Sequence, residues 1–143
     1  SGSQPSQQQP MKMVFVEDLL AVPGFAPHDL GKLKNLVIFL PRATPVNVNT
    51  APAEVLAARI EGLSLSDAAS LVENRNSASF RDLADFVHRL PGKAVSLSAG
   101  DASVTTNYFL VNGKVRLKRA VLEVQALIER SNAGTNLIRI REY

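Results

Sequence analysis

The chain of 143 residues has no cysteine, no tryptophan and only two histidines. Without cysteine it holds no disulfide scaffold, thiol nucleophile or thiolate zinc site, although that absence leaves the redox compartment open. His28 and His88 stand far apart with no site built around either, so both read as surface or capping residues. No apolar run approaches the roughly 18–20 residues of a membrane span, and no signal-peptide pattern opens the sequence. The nucleophile elbow Gly-x-Ser-x-Gly, the phosphate loop, His-Glu-x-x-His and the glycine-rich dinucleotide fingerprint are all missing. An enzyme therefore has little support, and no residue is a catalytic candidate. The acids are dispersed as Glu17-Asp18, Asp82, Asp85 and Asp101, without a calcium-loop spacing. Asp101, after Gly100 in a polar loop, has an oxygen to lend a calcium ion, but it reads first as a solvated loop aspartate.

What is present is enough for a packed core: 45% of residues are hydrophobic and 20% charged, which excludes wholesale disorder. The length suits one ordinary domain or two small ones. The net charge of +3 is unevenly spread. Residues 11–103 carry nine basic and ten acidic side chains, whereas residues 104–143 carry seven basic and three acidic ones. The positive charge belongs to the C-terminal quarter.

Residues 1–13 read as a disordered leader or linker, because the polar run Ser1 to Pro10 offers nothing to anchor in a core. Residues 14–92 read as a helical domain. Glu17–Val22 is expected to form a short helix, broken by Pro23-Gly24-Phe25, and Pro27 suits the first turn of a second helix running to about Phe39. Leu30, Leu33, Leu36 and Val37 supply its three-and-four spacing, and Pro41 ends it. Val46 to Thr50 enters extended, with Thr50 as the cap of a helix carrying Pro52 in its first turn. Val55, Leu56 and Ile60 are its buried face. After Gly62-Leu63-Ser64, Ser64 or Ser66 caps a helix through about Glu73, with Ala68, Ala69, Leu71 and Val72 packing. Ser79 and Asp82 have capping-box spacing before a third helix with Leu83, Phe86 and Val87 as its stripe.

Residues 93–103 are small and polar and read as a linker loop. From residue 104 the period becomes two. Phe109, Val111, Val115 and Leu117 share one parity, and Ala120, Leu122, Val124, Ala126 and Ile128 share the other. That switch implies a turn or bulge near Lys118-Arg119, while Asn112-Gly113 is a competing hairpin signal. A last strand follows Asn132-Ala133-Gly134, at about Asn136–Arg141. The fold class is α+β: a small all-α domain with helical pairs of helix-hairpin-helix or SAM-like type, then an antiparallel β-meander. Such a sheet needs a cover for its apolar face, and a missing N-terminal partner is the economical one. Lys114, Arg116 and Lys118 form a candidate basic docking face, and equally suit a solvated face guarding a sheet edge.

The stretch Val46-Asn47-Val48-Asn49-Thr50-Ala51 with two helices and Phe80-Arg81-Asp82-Leu83 resembles the helix-hairpin-helix module of competence-type DNA receptors. In that module a Gly-hydrophobic-Gly hairpin offers backbone amides to a phosphate. Here the second glycine is Ser64, and Asp67 stands where phosphate would approach. Residues 46–87 carry three arginines against six acids, so this surface repels a duplex. A DNA-binding module is the alternative reading, but no nucleic acid is expected as a partner.

The ordered set Val16 to Phe25, Leu40-Pro41, Asn47-Val48-Asn49-Thr50-Ala51, Ala69–Arg75, Phe80–Phe86 and Thr106-Asn107-Tyr108-Phe109 resembles the minor pseudopilin K family of type II secretion, across about residues 14–143. The resemblance implies a non-enzymatic protein at the tip of a periplasmic pseudopilus. There it meets minor pseudopilins I and J, assists assembly, and helps export folded proteins; secreted substrates and the outer-membrane secretin are further implied partners. It implies an α-domain inserted into a pilin-type domain, whose last strands would be residues 104–143. The family's membrane helix and first pilin strands have no counterpart here. The full-length protein would thus be anchored in the inner membrane by a helix outside this sequence. No cofactor is evident from the residues; calcium is implied by some relatives, with no ligands mapped.

Overall fold

The computed structural model describes residues 10–92 and 95–143. Most of the expected leader, residues 1–9, and residues 93–94 of the expected loop lie outside the described residues. Residues 10–13 form no regular element.

One core organises residues 46–104. Val46–Asn47 (β1) pairs in parallel with Ala102–Ser103 (β2), closing a loop around Ala53–Arg59 (α2), Leu65–Ser77 (α3) and Leu83–His88 (α4). Val48, Leu56, Ile60, Leu63, Leu71, Phe80 and Phe86 are buried together. Phe80 and Phe86 meet edge to face with centroids 4.9 Å apart, a geometry that suits the ring quadrupoles. α3 and α4 each start where a side chain satisfies an otherwise orphaned amide. Ser64 Oγ accepts from the Asp67 amide at 3.1 Å, and the Asp82 carboxylate accepts from the Asp85 amide at 2.7 Å. Gly62, at φ +79°, takes the left-handed turn between α2 and α3 at no steric cost.

The asparagine-rich segment is the joint of this unit. The Asn47 side chain accepts from the Asn49 amide at 2.9 Å, holding a turn. Asn49 then accepts from the Phe80 amide at 2.8 Å and donates to the Phe80 carbonyl at 2.9 Å. Its Nδ2 also lies 3.5 Å from the Val104 carbonyl. Arg75 donates to the Val48 carbonyl at 2.6 Å, and burial lowers its pKa.

Several local expectations are corrected. Thr50 is not a cap, because the helix begins only after Pro52, at Ala53. Ser79 is not the cap of α4; Asp82 is, since its own carboxylate reaches the Asp85 amide. Ala69, Leu83 and Val87 are exposed, leaving Phe86 alone as the fully buried member of the α4 stripe. The linker loop is not free: its last residues form β2, Ala102 is buried, and Val104 packs on the core.

The N-terminal part holds a 3-10 helix at Val16–Ala21 and the helix α1 at Pro27–Leu33. The helix expected to reach Phe39 stops at Leu33. Beyond it Leu36 to Leu40 leaves the helix, because β-branched Val37 and Ile38 disfavour continuation and the residue before Pro41 avoids the helical region. Arg139 holds that extended path by donating to the Phe39 carbonyl at 2.7 Å.

The second layer is a meander of Tyr108–Leu117 (β3), Ala120–Ser131 (β4) and Gly134–Glu142 (β5) in antiparallel order. Leu117 pairs with Ala120, which puts the hairpin at Lys118-Arg119. Asn112-Gly113 stays inside β3, opposite Gln125 and Val124. The two-residue loop reverses parity by itself, so no bulge is needed there. The register shift lies instead between Leu127 and Ile128, against β5.

Candidate interaction surface

The pairing sorts the sheet into two faces. Tyr108, Leu127, Glu129, Arg139 and Arg141 share the first. Residues 14–42 lie against it. Arg141 donates to Glu17 at 3.1 Å and sits 4.8 Å over the Phe15 ring. Arg42 pairs with Glu129 and lies 5.7 Å from the Tyr108 ring centroid. Leu127, in the middle of this face, is 1% exposed. Among the described residues the buried Tyr108 hydroxyl has no hydrogen-bond partner; burial first, and then the nearby Glu129 carboxylate, raise its pKa. Glu17 is held below its usual range by a backbone hydrogen bond and then by Arg141. Asp18 is held low by the amides of Phe15 and Val14, which it accepts at 2.9 and 2.8 Å.

The second face carries Val111, Val115, Leu117, Leu122, Leu137 and Ile140, in cross-strand rows set by Val111↔Ala126, Val115↔Leu122 and Ala126↔Ile140. Leu117 is 71% exposed, Leu137 60% and Ile140 55%. A contiguous uncovered apolar face of this kind marks an interaction surface, since a monomer gains nothing by wetting it. The expected missing cover is thus needed on one face only, because the chain's own residues 14–42 cover the other.

The predicted basic residues lie at the far end of the same hairpin. Lys114 and Arg116 point to the first face, beyond the reach of residues 14–42, and Lys118 leaves the strand to occupy the turn. Lys114 is engaged with Glu123 at 2.5 Å. Among the described residues Arg116, Lys118 and Arg119 make no ion pair or side-chain hydrogen bond. Every residue from Leu110 to Glu123 is exposed.

The other candidates are ordinary surface features. His28 is exposed beside Asp29 at 3.0 Å, and His88 is the exposed last residue of α4. Asp101 has Arg59 at 2.9 Å from one oxygen and the Ser98 amide at 2.9 Å from the other, and no group of three candidate ligands gathers among the described residues. At the Gly62-Leu63-Ser64 turn, Leu63 is buried and the Asp67 carboxylate lies 2.7 Å from Ser64 Oγ. A carboxylate thus stands at the amides that a phosphate would need.

Sequence reasoning missed Asn49, Arg75 and the arginines that hold residues 14–42. Arg139 and Arg141 had a signal, since they alternate with Ile138 and Ile140 and so must face one side together. Their partners at Phe39 and Glu17 had none, being about a hundred residues away in sequence.

Among the described residues no helix is long and apolar enough to cross a membrane. No curated protein matches the chain. The unit organised by Asn49, from β1 to the approach to β3, is the part that finds a family: residues 46–107 match the model for type II secretion system (T2SS), protein K, a match that supports a minor pseudopilin of the protein K type.

Proposed function

We propose that this chain is the helical insertion and closing pilin strands of a minor pseudopilin at the tip of the type II secretion pseudopilus, where it assists assembly and the export of folded proteins. Its role is structural, not enzymatic. The observation that carries the reading is the contrast between a finished helical core in the family-matched segment and a three-stranded sheet with one apolar face uncovered. A pilin-type domain supplies such a face with a long helix, and a helix with an apolar stripe is the natural cover for alternating Val, Leu and Ile rows. Minor pseudopilins I and J are the proposed partners, secreted substrates and the secretin lie further along the path, and the location is periplasmic with an inner-membrane anchor.

The test is secretion itself. In a bacterium lacking its own protein K, the full-length protein should restore export of folded substrates and co-purify with minor pseudopilins I and J. Restored export without either partner, or partner binding to a protein that leaves export unchanged, overturns the tip assignment. The DNA-binding alternative gains no observation, because the Asp67 carboxylate in the first turn of α3 and the acidic balance of residues 46–87 both oppose phosphate; retardation of duplex DNA at low salt would reinstate it.

A further inference from the structure

The β3–β4 hairpin projects beyond the part of the sheet covered by residues 14–42. Its outer stretch, residues 114–123, holds Lys114, Arg116, Lys118 and Arg119 against one acid, Glu123. That balance equals the net charge of the whole chain, +3, so the rest of the molecule is neutral in sum. The use of cations also differs along the sheet. Arg42, Arg139 and Arg141 are spent inside the molecule, on Glu129, the Phe39 carbonyl and Glu17. Arg116, Lys118 and Arg119 have no such partner among the described residues.

The turn adds a second observation. Lys118 sits at φ +50° in a two-residue loop, a conformation that glycine or asparagine takes more cheaply. A hairpin selected for stability alone would carry one of those. The sequence instead keeps a cation at the position where it costs most, and functional sites are where such local strain is tolerated. Edge protection does not account for it, since a turn residue guards no edge.

We propose that the tip of the β3–β4 hairpin is a docking arm gripped on both faces by a protein partner with an acidic surface, Arg116, Lys118 and Arg119 making the ion pairs and Leu117 packing on the face opposite Arg116. The proposal deepens the pseudopilin reading and rests on it. Opposite charge supplies specificity and on-rate, and the exposed Leu117 supplies an apolar contact on the other face of the hairpin. The layout suits a protein better than an anionic bilayer. Val115, Leu117 and Leu122 face one side of the hairpin and Lys114 and Arg116 the other, so the cations and the apolar rows do not present to one plane.

The experiment measures binding of this chain to the soluble parts of minor pseudopilins I and J, by calorimetry or interferometry across a salt series. The same chain is also sedimented with vesicles rich in phosphatidylglycerol. Three variants are compared: R116E/K118E/R119E, L117S and K118G. All the altered side chains are exposed, and circular dichroism and the melting temperature check the fold. Binding to one partner should weaken with salt, by about tenfold or more in the triple charge reversal, and measurably in L117S. K118G should raise the melting temperature while weakening binding, a pairing that a merely structural turn residue does not give. Partner binding that survives the triple reversal overturns the docking arm and leaves the pseudopilin reading standing. Absence of binding to either pseudopilin by the unaltered chain overturns both. Charge-dependent sedimentation with vesicles, without partner binding, makes the arm a membrane contact and overturns the protein partner.

Discussion

The helical unit and the sheet spend their apolar residues in opposite ways. Around α2, α3 and α4 the large side chains converge on one centre, and Val48, Leu56 and Phe86 are fully hidden. In the sheet, Leu127 is the one residue so enclosed among the described residues, and Val111, Val115, Leu117, Leu122, Leu137 and Ile140 stay open. Composition does not explain the difference, because about half of the residues are apolar in the strands and in the helices alike. Closure does. The parallel pair β1–β2 and the Asn49 clamp tie the start and the end of the helical unit together, so its core is complete within residues 46–104. The meander closes nothing by itself, since a sheet buries a face only against a second layer, and residues 14–42 supply one layer of the two.

The largest expected effect tests that contrast directly. Phe86→Ala removes a buried ring that packs on Phe80 and should cost about 3–5 kcal/mol, enough to unfold a marginal unit. Val115→Ala, in the open face, should stay within about 0.5 kcal/mol. Denaturant unfolding of both variants measures the pair; similar losses for the two would mean that the sheet face is covered in solution.

Asn49→Ala comes next. It strands the Phe80 amide and carbonyl in a part-buried joint, and an unsatisfied group of that kind costs about 1–3 kcal/mol. Asn49→Asp is a sharper comparison, because a carboxylate still accepts from the Phe80 amide but cannot donate to its carbonyl. Thermal unfolding should rank the native residue first, aspartate second and alanine third. Equal melting temperatures for all three would remove Asn49 from its place as the clamp.

A smaller, local effect belongs to the covered face of the sheet. Arg139→Ala and Arg141→Ala each remove a tether on residues 14–42. Amide exchange in that segment should rise while exchange in α2 and α3 stays unchanged, because local opening need not involve the whole fold. Exchange rising equally in both units would show that they unfold as one.

These tests also separate what a single sequence reveals from what it hides. The period-two pattern after residue 104 located three strands, and the parity switch put a turn near Lys118-Arg119, because side-chain alternation is a local property. The buried positions Leu56, Ile60, Leu71 and Phe86 follow from helical spacing for the same reason. Ser79 was a misleading cap, since Asp82 satisfies the capping role itself from three residues closer to the helix. What stayed hidden is non-local. A two-residue strand such as β2 has no period to detect, and its partner is β1, on the other side of three helices. The extended path after α1 is held partly by Arg139, a residue with no local link to Phe39. The basic residues of the candidate surface were legible as a charge imbalance, whereas the idle state of Arg116, Lys118 and Arg119 was not. Charge can be counted in a sequence, but pairing needs the fold.

The smallest expected effect is on pH dependence, and it again divides the two regions. In the helical unit Asp85 accepts from the Arg81 amide at 3.0 Å and from Arg89 at 3.0 and 2.7 Å. The backbone bond first and the Arg89 bond second hold its carboxyl below the usual range. On the covered face of the sheet, Asp18 and Glu17 are lowered by their own hydrogen bonds. A carboxyl with a depressed folded pKa contributes stability that is present above the unfolded value, about 4, and is lost as pH falls through the folded value. Acidification from pH 5 should therefore lower the melting temperature, with the slope steepening below about pH 4. Asp85→Asn should flatten that slope for the helical unit while leaving acid-induced exchange in residues 14–42 as it was. Asp18→Asn should do the reverse, because the Asp18 carboxylate holds the start of the 3-10 helix and touches nothing in the α4 turn. A melting curve for Asp85→Asn that runs parallel to the native one through this range would mean that the Asp85–Arg89 pair forms equally in the unfolded chain, where the two residues are only four apart.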